Sequence, residues 1–215
     1  MLAGAGVAVV GALVAGFVPG LVLLLLPAFF LFFFRDPERH HAAPASAVIA
    51  PADGRVMVAG PPTGSSAPPG ARAQISIFLS PIDVHVNRMP VGGRVMRVEY
   101  HPGRFLAAYR FESGDQNERT EVVVDHQGQQ VVVRQIVGVL ARRIVCRTAV
   151  GRQVASGERF GVMKFGSRMD VFLPEGAVVT ARVGDRVVGG VTVIATLGAA
   201  PVARPADELE TSHVS

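Results

Sequence analysis

Tryptophan is absent from the 215-residue chain, tyrosine occurs twice, and there is one cysteine. A single cysteine excludes a disulfide framework and a cysteine-rich zinc site within one chain. Cys146 follows Ile144 and Val145 and reads as a small buried hydrophobe. Lysine is nearly missing as well: of the 21 basic residues only Lys164 is a lysine. The net charge of +4 therefore comes from scattered arginines. No basic run with interleaved aromatics occurs, so no stacking platform for nucleic acid is expected. No metal site is expected either, because His40 and His41 are adjacent rather than at ligand spacing. Charged residues make up 18% of the chain and hydrophobic ones 49%, which excludes a wholly disordered polypeptide.

The apolar residues are unevenly spread. Residues 1–34 carry no charged side chain and end in a Leu/Phe block from Leu21 to Phe34, stopped by Arg35 and Asp36. A membrane-crossing helix needs about 20 apolar residues. Pro19-Gly20 divides the stretch, which predicts either one long kinked helix or two short helices in a re-entrant hairpin. A cleaved signal peptide fits poorly, since there is no basic leading region and the block is too long. Arg35 and Arg39 follow, with His40 and His41. The excess of basic residues there places the rest of the chain on the cytoplasmic side of the cell membrane. The organisation read from this is an anchor over 1–34, a linker over 35–46, a folded domain over 47–200 and a polar tail over 201–215.

From Ala47 onward, short Val/Ile/Phe runs are broken every eight to twelve residues by Gly, Pro, Asn or Asp. Runs at 46–50, 55–59, 73–79, 94–100, 120–124, 130–134 and 178–183 alternate apolar with polar residues. That texture predicts a mainly β domain, a barrel or sandwich related to the barrel-sandwich type. One short helix is expected near Gly138–Val145. The Pro/Gly/Ser-rich stretch 60–70 reads as a surface loop.

Four stretches place reactive or backbone-shaping residues at strand ends. Gly166-Ser167 interrupts a strand-like segment, where glycine marks a tight bend or a close approach. A Gly-Ser peptide can undergo an N-to-O acyl shift. The serine oxygen attacks the preceding carbonyl to form an ester. Loss of the serine α-proton then expels the carboxylate, and the resulting dehydroalanine hydrolyses to a pyruvoyl group. His85, between a buried strand and a Pro/Gly turn, can move the protons this requires. Asp53, in Pro51-Ala52-Asp53-Gly54, fits either a plain turn or a carboxylate that orients an imidazole. Asp115 to Thr120 reads on its own as a solvated hairpin tip.

Together these stretches resemble the phosphatidylserine decarboxylase proenzyme family, and the compact length is similar to its short, archaeal-type branch. The matching elements are Phe34-Arg35-Asp36-Pro37, Pro51-Ala52-Asp53-Gly54, Val84-His85 with Met89-Pro90, Tyr100-His101-Pro102-Gly103, Asn117-Glu118-Arg119, and Gly157-Glu158…Gly161…Lys164-Phe165-Gly166-Ser167. The resemblance implies self-cleavage between Gly166 and Ser167, giving a β chain of 1–166 and an α chain of 167–215. It implies a covalent pyruvoyl cofactor made from Ser167. That group would form a Schiff base with phosphatidylserine drawn from the membrane and yield phosphatidylethanolamine and CO2 in phospholipid biosynthesis. It further implies an oligomer of αβ units. Asp53 matches the aspartate of the self-cleavage triad, and His85 the first of two histidines in longer members. Arg88 stands in the second position, so either His85 serves both self-cleavage and decarboxylation or another group takes one role. Arg168 stands where the longer branch has a small hydroxyl residue.

Two other enzymatic or carrier readings compete, and a third has no chemistry. Val162-Met163-Lys164-Phe165 is similar to a biotinyl or lipoyl acceptor turn on Lys164. Ser167 with Lys164 could form a membrane-anchored Ser/Lys hydrolase, provided the lysine is buried. A β-rich scaffold without catalysis is the last.

Overall fold

The computed structural model describes residues 2–139, 143–163 and 166–199, with side chains from Val14 onward. Lys164 and Phe165, Leu140 and Arg142, and the tail over 201–215 lie outside the described residues.

The apolar N-terminal segment is one continuous helix, α1 (Leu2–Phe33), with Pro19 and Pro27 inside it. Neither proline breaks it into a hairpin. Its segment Val14–Phe33 has a mean hydropathy of 2.4 and is long enough to cross a membrane. No side of that segment is packed against protein, and its Val, Leu and Phe side chains stand exposed all round until Phe33. Such a helix has no polar face to present to water.

The remainder is mainly β, as the alternating pattern predicts. In chain order the strands are β1 (Ala47–Ile49), β2 (Gly54–Gly60), β3 (Ala73–Leu79), β4 (Val86–Arg88), β5 (Gly93–His101), β6 (Arg119–His126) and β7 (Gln129–Ile136). They continue as β8 (Ile144–Cys146), β9 (Gln153–Val154), β10 (Arg159–Met163), β11 (Ser167–Leu173), β12 (Val178–Val179), β13 (Arg186–Val187) and β14 (Val193–Thr196). A single turn of helix, α2 (Ser113–Gln116), precedes β6. The short helix expected at Gly138–Val145 is not found among its described residues. Ile144 to Cys146 form β8, which pairs antiparallel with β10 and half-buries all three side chains. Edge pairing outweighs a weak helical pattern of only eight residues.

An eight-stranded sheet in the order β13-β2-β3-β11-β7-β6-β5-β9 is joined by two three-stranded sheets, β4-β10-β8 and β1-β14-β12. Residues of β11 point alternately to its two faces. Met169, Val171 and Leu173 enter the main core with Ile75, Ile77 and Leu79 of β3 and Val131 and Val133 of β7. Phe172 goes to the other face, against Val123 and Val132 and under the loop residues Ala67 and Ala71. Each fully buried aliphatic side chain stabilises the domain by about 1.5–3 kcal/mol. The register of β11 is therefore strongly fixed, because a one-residue slip would exchange its faces.

Candidate active site

Two connections position the site. The segment 80–85 leaves β3 and enters β4, and the segment 164–166 leaves β10 and enters β11. β3 pairs with β11, Leu79 opposite Ser167, while β4 pairs with β10, Val86 opposite Val162. His85 ends the first connection, and Ser167 follows the second. A main-chain bond from Met163 N–H to the His85 carbonyl, 3.2 Å, ties the two together.

Gly166 has φ +69°, a left-handed conformation that glycine adopts without steric cost. Its carbonyl oxygen lies so close to Gly138 that a Cβ placed there would sit 2.0 Å from it. Gly138 follows the end of β7, the other neighbour of β11, so a glycine on each side lets the turn close. Ser167 is fully buried on the core face, in register with Leu79. Its Oγ has no hydrogen-bond partner among the described residues. A buried hydroxyl without a partner is costly to maintain.

His85 is 2% exposed, and neither ring nitrogen has a hydrogen-bond partner of good geometry among the described residues. Burial pushes its pKa below the ordinary 6.5, while the Asp83 main chain and carboxylate oppose that shift. The ring of Phe33, the last residue of α1, lies 4.3 Å from the imidazole, centroid to centroid. The apolar helix thus ends directly on the histidine.

Asp53 is not hydrogen-bonded to His85. Both of its carboxylate oxygens accept from Arg39, one at 2.8 Å, and Oδ1 also accepts from Gly189 N–H at 2.8 Å. Arg39 additionally donates to the Gly189 carbonyl at 2.6 Å. Asp53 reaches His85 through its charge, which favours the imidazolium. Asp83 is closer in sequence and better placed to act on the ring. It is held by Ser80 N–H and Arg186, each at 2.8 Å. Arg88 is committed elsewhere: it donates to Asp36 Oδ1 and the Pro37 carbonyl, each at 3.1 Å, and to the Gly157 carbonyl at 3.2 Å. Asp36 and Glu38 pair in turn with Arg159 at 2.7 and 2.9 Å. Residues 36–39 therefore form a strap clamped across the site by ion pairs.

On the opposite face of β11, Arg168 and Asp170 are each 1% exposed and form a two-pronged ion pair, 2.6 and 3.0 Å. Ser76 and Gln74 of β3 complete it. Asn117, read alone as part of a solvated tip, is fully buried. It accepts from Leu106 N–H at 2.9 Å and donates to the Leu106 and Val137 carbonyls, each at 2.8 Å. It thereby fixes the segment before α2 against the chain leading to Gly138. Beside Gly166 lies an open apolar recess of about 140 Å³, lined by Phe78, Pro81, Ala108, Tyr109 and Val139.

Arg39, Asp83 and Gly138 do not stand out in the sequence as site residues. Asp83 had a signal, a carboxylate two residues before the histidine. Gly138 had none, because its role comes from a contact with Gly166, 28 positions away.

The structure thus sets a buried serine behind a left-handed glycine, and a buried histidine against the end of a helix apolar and long enough to cross a membrane. The family model for phosphatidylserine decarboxylase matches residues 26–195. The phosphatidylserine decarboxylase proenzyme of Symbiobacterium thermophilum is 47% identical over 179 residues, 83% of each chain. That of Prosthecochloris aestuarii is 44% identical over 178 residues, 81% of this chain and 80% of its own. That of Chlorobium phaeobacteroides is 43% identical over 198 residues, 90% of each. The chain belongs to the phosphatidylserine decarboxylase family and is a decarboxylase.

Proposed function

We propose that the chain cuts itself between Gly166 and Ser167 and uses the pyruvoyl group so formed to convert phosphatidylserine to phosphatidylethanolamine and CO2 in phospholipid biosynthesis. The observation that carries this reading is the buried, unpartnered Ser167 Oγ directly behind the left-handed Gly166.

Self-cleavage needs no reagent besides water. Ser167 Oγ–H gives its proton to neutral His85 as Oγ bonds to the Gly166 carbonyl carbon. The Gly166–Ser167 C–N bond breaks, and the nitrogen takes a proton. His85, having passed its proton to that nitrogen, takes the Ser167 α-proton as the Cβ–Oγ bond breaks, releasing Gly166 as a carboxylate. Water hydrolyses the enamine left behind and ammonia departs. Burial keeps His85 unprotonated and ready to accept, while the charges of Asp83 and Asp53 stabilise the imidazolium it becomes.

Residue 167 fits the resulting group: it is enclosed, it starts a strand paired on both sides from Arg168 on, and its side chain carries no competing hydrogen bond among the described residues. The ketone supplies an electron sink for the amine-bearing carbon that loses CO2. His85 is the group positioned to return the proton to that carbon. We assign catalytic roles to Ser167 and His85, and a supporting electrostatic role to Asp53. The domain that does this spans 47–200, with α1 as its anchor in the membrane and the remainder on the cytoplasmic side. The reading is tested by incubating the purified chain with phosphatidylserine vesicles. The wild type should release CO2 and phosphatidylethanolamine, and Ser167→Ala should release neither; activity in Ser167→Ala would contradict it.

A further inference from the structure

The recess beside Gly166 opens among side chains that are apolar, aromatic and exposed. Residues 104–111 read Arg-Phe-Leu-Ala-Ala-Tyr-Arg-Phe. In this segment Phe105, Tyr109 and Phe111 are 38%, 61% and 65% exposed, and Arg104 and Arg110 are exposed beside them. The exposure is not that of a loose loop. Asn117 holds Leu106 by both main-chain groups, Ser113 Oγ donates to the Ala108 and Arg110 carbonyls at 3.0 and 2.6 Å, and the Tyr109 ring meets Phe78 edge-on at 6.1 Å. A fixed main chain therefore presents these rings outward. Grouped apolar side chains at a surface mark an interaction site.

The same surface is continuous with the end of α1. Arg35, the first charged residue after the helix, donates to the Ile82 carbonyl at 2.9 Å. Ile82 is 62% exposed, and its neighbour Pro81 lines the recess together with Tyr109. Val139, 52% exposed, closes the other side. Aromatic rings alternating with arginines suit the boundary between lipid chains and anionic headgroups.

We propose that residues 104–111, with Ile82 and Val139, dock into the headgroup layer of the bilayer that α1 enters, so that the recess at Gly166 opens into lipid rather than water. This deepens the proposed function, since a substrate with two acyl chains would then reach the site without crossing water. The docking itself is independent of self-cleavage.

The absence of tryptophan from the chain makes a direct test available. Full-length Phe111→Trp and Tyr109→Trp are reconstituted in vesicles of phosphatidylcholine and phosphatidylglycerol, with and without brominated acyl chains. Glu175→Trp, exposed beyond the far end of β11, is the control. Tryptophan at 109 and 111 should emit further to the blue than at 175 and be quenched severalfold more by brominated lipid. Equal quenching at all three positions would overturn the proposal. So would a blue shift without lipid quenching, which would assign the face to a second copy of the chain. An uncut chain on a denaturing gel would contradict the proposed function while leaving this readout intact.

Discussion

At the scale of the residue, the Gly166 carbonyl is held closely against Gly138. A methyl group at position 138 would lie 2.0 Å from the Gly166 oxygen, so Gly138→Ala has to displace the carbonyl that Ser167 attacks in the proposed cleavage. Displacements of this kind cost about 10²-fold in rate, and the time course of chain cleavage should slow accordingly. His85→Ala removes the proposed proton acceptor and should slow cleavage by about 10²–10⁴-fold. Because burial lowers the His85 pKa, the folded chain binds that proton less readily than the unfolded chain. Stability conferred by the neutral ring is present above pH 6.5 and is lost as pH falls through the lowered folded value. Cleavage rate should follow the same direction, level from pH 8 to about 6.5 and declining only below it. A decline beginning above pH 7 would contradict a buried neutral base. Gly166, Ser167 and His85 were visible in the sequence as candidates because their chemistry is read from short local stretches. Gly138 was not, because its importance arises only when β7 and β11 lie side by side.

At the scale of the element, the strap over residues 36–39 joins the helix to the site. The pattern of Pro, Arg and His read as a linker, since polar residues near a proline give no hint of distant partners. In the structure Arg39 grips Asp53 across 14 residues, and Arg88 grips Asp36 across 52. Asp53→Asn and Arg39→Gln each leave one charged group without its partner, which costs about 1.5–3 kcal/mol. Thermal unfolding should show both losses, and the double variant should lose less than their sum. Asp53→Asn should slow cleavage more than Arg39→Gln, because only the aspartate's charge supports the imidazolium. Equal slowing would limit Asp53 to holding the strap. The helix expected at 138–145 and the strand β8 found there differ for a related reason. Eight residues carry too little periodicity to outweigh pairing with β10.

At the scale of the whole molecule, the proposed cut falls at the edge of a strand that the fold cannot release. β11 is hydrogen-bonded to β3 on one side and β7 on the other, and β13 and β14 lie in sheets with β2 and β1. Residues after the cut therefore complete two sheets begun by residues before it. The two pieces should co-elute undiminished in non-denaturing buffer and separate only on denaturation; spontaneous separation would contradict this topology. The β class was legible from alternation and turn spacing. The division into one large and two small sheets was not, since pairing between strands distant in sequence is set by packing.

The most direct measurement is the intact mass of the purified chain under denaturing conditions, followed by amine- and carbonyl-reactive labelling. The account predicts that the 22.6 kDa chain is replaced by two species. The smaller, about 5 kDa by the proportion of residues it holds, should begin at position 167, resist amine reagents at its terminus and react with a hydrazine. A single unbroken chain that still releases CO2 from phosphatidylserine, or a small fragment with a free terminal amine, would contradict it.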